Sequence, residues 1–451
     1  MSIVSQKGDS DRWIFYGFLA LLLWAPLPLA SNRPWLWSLL GLGIFILAFW
    51  WLIEYLRGRV SIPSALYKSL LPIGLLSLWL SLLAFQILSS ITVSPFVTYD
   101  FLLRSTALTV FFTLSLVLLR SRRRLRLFAW VVVLAGAFQA FYGGLMTLSG
   151  VEYGFFIEKD YYRDVATGTF VNRNHLAGFL EMTLAVGVGL LLAGINETRA
   201  KTFKQQLRNT IQWILSSKMQ LRILLAIMVV GLVLTHSRMG NAAFFISLFV
   251  SGLLWLILER KKPKRGVLFL LTTLFIIDIV IVGSWFGIEK VVDRLEQTST
   301  MSESRDEVVR DSLLYLNDYL IFGSGAGTFE HVFPQYRGAD IGLDYNYAHN
   351  DYVQFAVETG AVGFVLLGLL VIISMIVSLK VMRSDASSLH RGMAFSSFMA
   401  VLAMMIHSSV DFNLQIPANA LLFMVILAVP WLGLSTRESS ARTVNTSENK
   451  N

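Results

Sequence analysis

Tyr347-Ala348-His349-Asn350-Asp351-Tyr352 closes the longest polar stretch of the chain and runs straight into an apolar span over 352–379. That run exceeds the roughly 20 residues that cross a hydrocarbon core, so it predicts a membrane helix. An imidazole, an amide and a carboxylate then stand at the helix mouth, where polar groups are costly unless they are used. On a helical wheel Asn350, Asp351, Gln354 and Glu358 share an arc of about 100°. Val353, Phe355, Ala356 and Val357 fill most of the remainder, so the polar stripe predicts a wet cavity in place of lipid. His349 sits just ahead of the first turn. There the dipole lowers its proton affinity and favours the neutral imidazole that a general base requires. A hydrogen-bonded structural histidine is the alternative.

Working outward, apolar runs of about 17–25 residues recur along the chain. They lie near 13–31, 35–55, 68–90, 101–119, 126–148, 174–194, 220–236, 239–258, 266–287, 352–379, 391–409 and 416–434. The chain is 55% hydrophobic and 15% charged, against about 25% charged in soluble domains. The reading is an all-α polytopic membrane protein of about twelve transmembrane helices. Cysteine is absent, which excludes a disulfide framework, a thiolate nucleophile and a cysteine-based metal site. Trp13–Ala30 follows a charged start without a small-residue cleavage site, so it reads as a first span and not as a removed signal peptide.

The net charge of +9 invites a nucleic-acid partner, but the basic residues cluster in short loops between spans, as topology determinants do. Alternate loops hold 27 of the 38 Lys and Arg residues. The positive-inside rule therefore puts both termini in the cytoplasm and the loop 288–349 on the outer side. The runs 120–126 and 259–265 read as topology anchors. Three segments result: helices 1–5 over 1–150, a membrane domain over 151–435 containing the loop 288–349, and a disordered cytoplasmic tail over 436–451.

The outer loop holds eleven acids against five bases, so an arginine there is selective. Ser304-Arg305-Asp306-Glu307 reads as a capping box, with Ser304 as N-cap. Val309, Leu313, Leu316 and Leu320 then form an amphipathic stripe, facing the membrane surface or the bundle. Arg305 falls at the first helical position, where the dipole disfavours a cation but guanidinium and helix N-terminus together would grip an anion; an ordinary exposed arginine is the alternative. Gly323-Ser324-Gly325-Ala326-Gly327 lacks the lysine and the strand of a P-loop and reads as a tight turn. Arg238 opens a span on the outer side behind Thr235-His236-Ser237, either as a functional cation or snorkelling to the interface. Arg163, Asn172, Arg173, Asn174 and His175 form a further outer cluster, in which helix capping and sugar recognition use the same amides. His331 and His407 fall outside any metal-ligand spacing. Asp278 and Glu181 lie inside spans and are expected to pair within the bundle.

Taken together, Thr167–Gly178, Thr235–Arg238, the segment from Ser304-Arg305 through the glycine turn to Glu358-Thr359-Gly360, and Asp411–Pro417 resemble the bacterial O-antigen ligase and O-antigen polymerase superfamily. The resemblance covers roughly residues 150–420. It implies a GT-C-like membrane glycosyltransferase with a large, helical periplasmic loop before the tenth span. Such an enzyme takes a glycan from undecaprenyl diphosphate in the bacterial inner membrane. It passes the glycan to a sugar hydroxyl, of lipid A-core in ligases and of another lipid-linked repeat in polymerases. The family's two diphosphate-binding arginines fall on Arg238 and Arg305, and its essential histidine on His349. The resemblance implies no metal and no cofactor. Asn350, Asp351, Gln354, Glu358, Arg163, Asn172, Asn174, His175 and His236 are the expected substrate-binding residues, with membrane lipids as further partners and no nucleic acid. Exopolysaccharide polymerase and protein O-oligosaccharyltransferase are variants of the same chemistry. A lipid-glycan transporter is the alternative of another class, disfavoured because no internal repeat is evident and the polar groups gather at the rim.

Overall fold

The computed structural model describes residues 10–154, 156–194, 217–258, 303–342 and 344–448. The described chain is almost wholly helical: α1 Arg12–Trp24, α2 Pro34–Leu56, α3 Ser64–Lys68, α4 Leu70–Leu88, α5 Pro95–Leu118, α6 Arg122–Ser149, α7 Arg173–Ala193, α8 Ser217–Leu234, α9 Arg238–Leu258, α10 Glu303–Asp318, α11 Phe329–Val332, α12 Asp351–Met382, α13 Ser388–His407 and α14 Pro417–Glu448. A two-stranded antiparallel sheet, β1 Tyr153–Gly154 with β2 Ile157–Glu158, pairs Tyr153 with Glu158. Among the described residues nine helices are long and apolar enough to cross a membrane, with α1 and Met219–Leu234 as shorter apolar helices. These eleven coincide with eleven of the twelve expected spans. The run 266–287, with Asp278, lies outside the described residues, as does 288–302 of the large loop. The protein is a polytopic helical membrane protein.

The helix ends follow from local chemistry. Pro34 and Pro95 open α2 and α5, where a missing N–H costs nothing. Ser121, Asn172 and Asn350 cap α6, α7 and α12 through their side-chain oxygens. Ser237 Oγ accepts from Gly240 N at 3.2 Å and so caps α9. The sequence stops α14 at about residue 435, but the helix runs on to Glu448. No proline or glycine follows Gly433, and a helix already nucleated in the bundle propagates at little cost.

The most buried spans are α7, α14 and α13, at 94%, 89% and 78% of their central windows, which makes them the centre of the bundle. Without a hydrophobic drive between helices, small residues set the closeness of packing. A Cβ on Gly189 would stand 2.2 Å from Gly392 O, and one on Gly392 would stand 2.3 Å from Gly189 O, so α7 and α13 cross backbone to backbone. α12 lies outside this centre. It is tied to α13 at one end by Asp351 N donating to Ser408 O and at the other by Arg391 Nε donating to Met382 O.

Gly360 (φ 64°, ψ −174°) breaks α12 in a backbone region essentially restricted to glycine. The break frees backbone groups, and the turn after α10 takes them up. Ala361 N donates to Leu320 O, Val362 N to Ile321 O, Ser324 N to Val357 O and Gly325 N to Glu358 O. The glycine run 323–327 is thus a tight turn locked onto α12, as its lack of a lysine suggested.

α10 departs from expectation in two ways. The described helix already includes Glu303, so Ser304 lies inside it and Arg305 is its third residue. Its buried face is Val308, Ser312 and Tyr315, while Leu313 and Leu320 are exposed. The cause is a local core of Tyr315, Phe329 and Phe333, with Tyr336 stacked on Tyr315. Asp311 can be buried beside it because Arg310 and Gly338 N bond its carboxylate.

Candidate functional site

Four elements meet at the end of the bundle that carries the large loop. They are the α12 mouth, the loop 408–416 before α14, the start of α7 and the first turn of α10. His349 adopts φ 49°, a left-handed conformation that costs a non-glycine residue roughly 1–2 kcal/mol. This turn aims the ring away from α12. The ring is half-buried, with its edge on Phe412 at 4.8 Å and on Tyr345 at 5.6 Å between centroids. Its Nδ1 has no hydrogen-bond partner. Burial, then the nearby Arg305 guanidinium, pushes His349 down to about 4, with Asp411 opposing. The imidazole is therefore neutral at physiological pH.

Phe412 organises the neighbouring rings. It stacks on Tyr347 at 4.3 Å and meets His175 edge-on at 4.6 Å. Asp411 beside it accepts from the Asn174 amide, and its Oδ1 lies 3.5 Å from His175 Nε2. Burial would raise this carboxyl, but His175, then His407 and His349, outweigh burial and hold it below the usual carboxylate range. Tyr162, also left-handed at φ 58°, lies under the Arg173 guanidinium at 5.8 Å. Burial pushes its hydroxyl up, with Arg305 and Arg173 opposing and Asp411 adding to the rise. Arg305, Tyr162, Arg173, Asp411, His175 and His349 thus form one electrostatic neighbourhood.

Arg238 is the exposed first residue of α9. α9 starts hard against α7: a Cβ on Gly240 would stand 2.6 Å from Ala177, two residues beyond His175. Arg238 therefore opens at the same end of the bundle as the His349 cluster. Among the described residues neither Arg238 nor Arg305 forms a salt bridge. His236, left-handed at φ 52°, makes the α8–α9 turn.

The other expected residues divide. Asn172 and Asn350 cap helices, and Asn350 Nδ2 also donates to Ser409 O at 2.8 Å. Asp351 Oδ2 accepts from Ser408 Oγ and Leu414 N, fastening α12 to the Phe412 loop. Gln354 accepts from Ala348 N and donates to Glu358, which accepts from Gly327 N and Phe329 N. The polar stripe thus holds the loops that shape the site. Gln354 and Glu358 also line a cavity of about 210 Å³, as the wheel anticipated for a wet face. Arg163 is drawn elsewhere, to Glu158 and Lys159 O. Glu181 pairs with His407 Nδ1 at 2.7 Å, both fully buried.

The sequence marks Arg173 as part of the outer cluster and Asp411-Phe412 as part of a family-like segment without giving any of them a site role, and it does not mark Tyr162. An acid–aromatic pair in a short loop just after a span was the available signal for Asp411 and Phe412.

Residues 223–368 match the family described as O-antigen ligase. No curated protein matches the chain.

Proposed function

We propose that the chain is an O-antigen ligase-type glycosyltransferase, a reading supported by the match of residues 223–368, from α8 into α12, to the O-antigen ligase family. In this reading it moves a glycan from undecaprenyl diphosphate to a sugar hydroxyl of lipid A-core, at the periplasmic face of the bacterial inner membrane. The observation that carries the reading is a neutral, half-buried His349, with no hydrogen bond at its buried Nδ1, within electrostatic reach of Arg305.

The chemistry follows from charge. Lipid diphosphate leaves readily once the negative charge that develops on it is stabilised. Arg305, in the first turn of α10, and Arg238, at the start of α9, supply that stabilisation bidentately, each helped by a helix N-terminus. His349 accepts the proton of the incoming sugar hydroxyl as its oxygen forms the new bond to the anomeric carbon and the diphosphate oxygen departs. In-line attack inverts that carbon. Asp411 and Phe412 hold the ring field around His349.

Purified protein supplied with undecaprenyl-diphosphate glycan and lipid A-core should release the joined product. A ladder of lengthening lipid-linked glycan without lipid A-core would assign a polymerase instead. Full activity in His349→Ala would refute the role given to His349.

A further inference from the structure

A second site lies next to the rim cluster. The cavity of about 210 Å³ runs between α2, α5, α14 and the large loop. Arg104 stands in it, over the Trp37 ring at 5.0 Å and ion-paired with Asp100 at 2.6 Å. Its Nε is buried with no hydrogen-bond partner. Glu330, Asn346, Tyr347, Gln354, Glu358 and Gln415 complete the polar wall. An apolar cavity of about 320 Å³ lies alongside, walled by Trp79, Phe355, Phe364, Leu367, Phe423 and Met424. Phe101, Ser105 and Leu108 of α5 and Ala420 of α14 line both cavities. The two are halves of one cleft between α5, α12 and α14, polar at one end and apolar at the other.

The charge balance selects the head that fits. Asp100, Glu330 and Glu358 oppose the single cation Arg104, so a multiply charged phosphate is repelled here, unlike at Arg238 and Arg305. A hydroxyl-rich head suits the walls. Its O–H groups donate to Asp100 and Glu330, its oxygens accept from Arg104 Nε, and its ring faces lie on Trp37 and Tyr347. The apolar half takes a hydrocarbon chain, because a dry groove inside a bilayer has no other occupant of that polarity.

We propose that this cleft binds an amphiphile with an uncharged, hydroxyl-rich head and its chain laid between α5, α12 and α14. The cleft borders the candidate site, with Tyr347, Gln354 and Glu358 common to both, and does not depend on the role given to His349. The test uses full-length protein in phosphatidylcholine nanodiscs with a photoreactive alkyl glucoside, the adducts being mapped by peptide mass spectrometry. Adducts should concentrate on α5, α12 and α14. Dodecyl glucoside should compete at least tenfold better than dodecyl phosphate, and free glucose should not compete at the same concentration. A Cβ at Gly368, which lines the apolar half, would meet nothing within 4 Å, so Gly368→Trp should fold and cut labelling at least tenfold. Arg104→Gln should weaken competition by the glucoside severalfold, while Arg238→Ala, at the other site, should leave labelling unchanged. Labelling spread evenly over all spans would overturn the proposal as a general lipid coat. Better competition by dodecyl phosphate, or undiminished labelling in Gly368→Trp, would overturn it equally.

Discussion

His349 and His407 lie about one helix apart in the same bundle and live in opposite ways. His407 is fully buried, sits in a regular helix and bonds Glu181 at 2.7 Å. His349 is half-buried, sits in a strained left-handed turn and leaves Nδ1 without a partner. Each ring leaves one buried nitrogen without a partner, Nδ1 in His349 and Nε2 in His407, so that feature alone does not separate them. What separates them is that His407 faces a buried carboxylate from a relaxed helix, while His349 has no acid bonded to it and sits in a turn that costs roughly 1–2 kcal/mol. The pair teaches that a paired imidazole in regular backbone marks scaffold here, and a strained, half-exposed one marks the working end.

Substitutions can break that contrast. His349→Asn keeps a residue that tolerates the left-handed turn, so it should fold normally while product formation falls about 10²–10⁴-fold, the usual worth of a general base. A variant as active as the parent would make His349 scaffold too. Glu181→Leu should do the reverse, destabilising the fold by about 3–5 kcal/mol because His407 is left buried without its partner. Thermal unfolding should show the loss, and Glu181→Leu with His407→Leu should recover most of it. Arg238→Lys keeps the charge and loses the fork, and turnover should drop about tenfold, as expected for one charge-assisted bond. The smallest effect is one of pH. Because His349 titrates near 4 and not 6.5, activity should show no histidine limb between about pH 6.5 and pH 5. Across the same window the unfolded chain takes up a proton that the folded chain refuses. Folding stability contributed by this ring is therefore complete above 6.5 and is lost as pH falls towards 4.

How far these residues were legible follows from the range of the forces involved. Hydropathy acts over one helix length, so α2, α7 and α12 are visible in the sequence almost to the residue, as are caps such as Asn172 and Asn350. The buried face of α10 is not. Tyr315 turns inward because Phe329, Phe333 and Tyr336, from the following segment, build a core around it; of the expected stripe Leu316 packs against that cluster, while Leu313 and Leu320 stay exposed. Asp411 escapes for a related reason. Its partners Asn174 and His175 lie more than two hundred residues earlier, and no periodicity links them. The polar stripe on α12 was read correctly as facing inward, but its hydrogen bonds end on the loops themselves.

The break at Gly360 carries a geometric consequence. α12 has 32 residues, about 48 Å of helix at about 1.5 Å per residue. It is fastened at Asp351 to Ser408 and at Met382 to Arg391, and the α13 stretch between those fastenings is only about 26 Å long. A straight rod of the greater length cannot join the two ends, so the limb 351–359 lies aslant across the top of the bundle. A slanted limb redirects its dipole, and its positive end meets the Ser408 and Asp411 carbonyls to which Asp351 N donates. The glycine thereby sets the compass bearing of the field in which His349 sits.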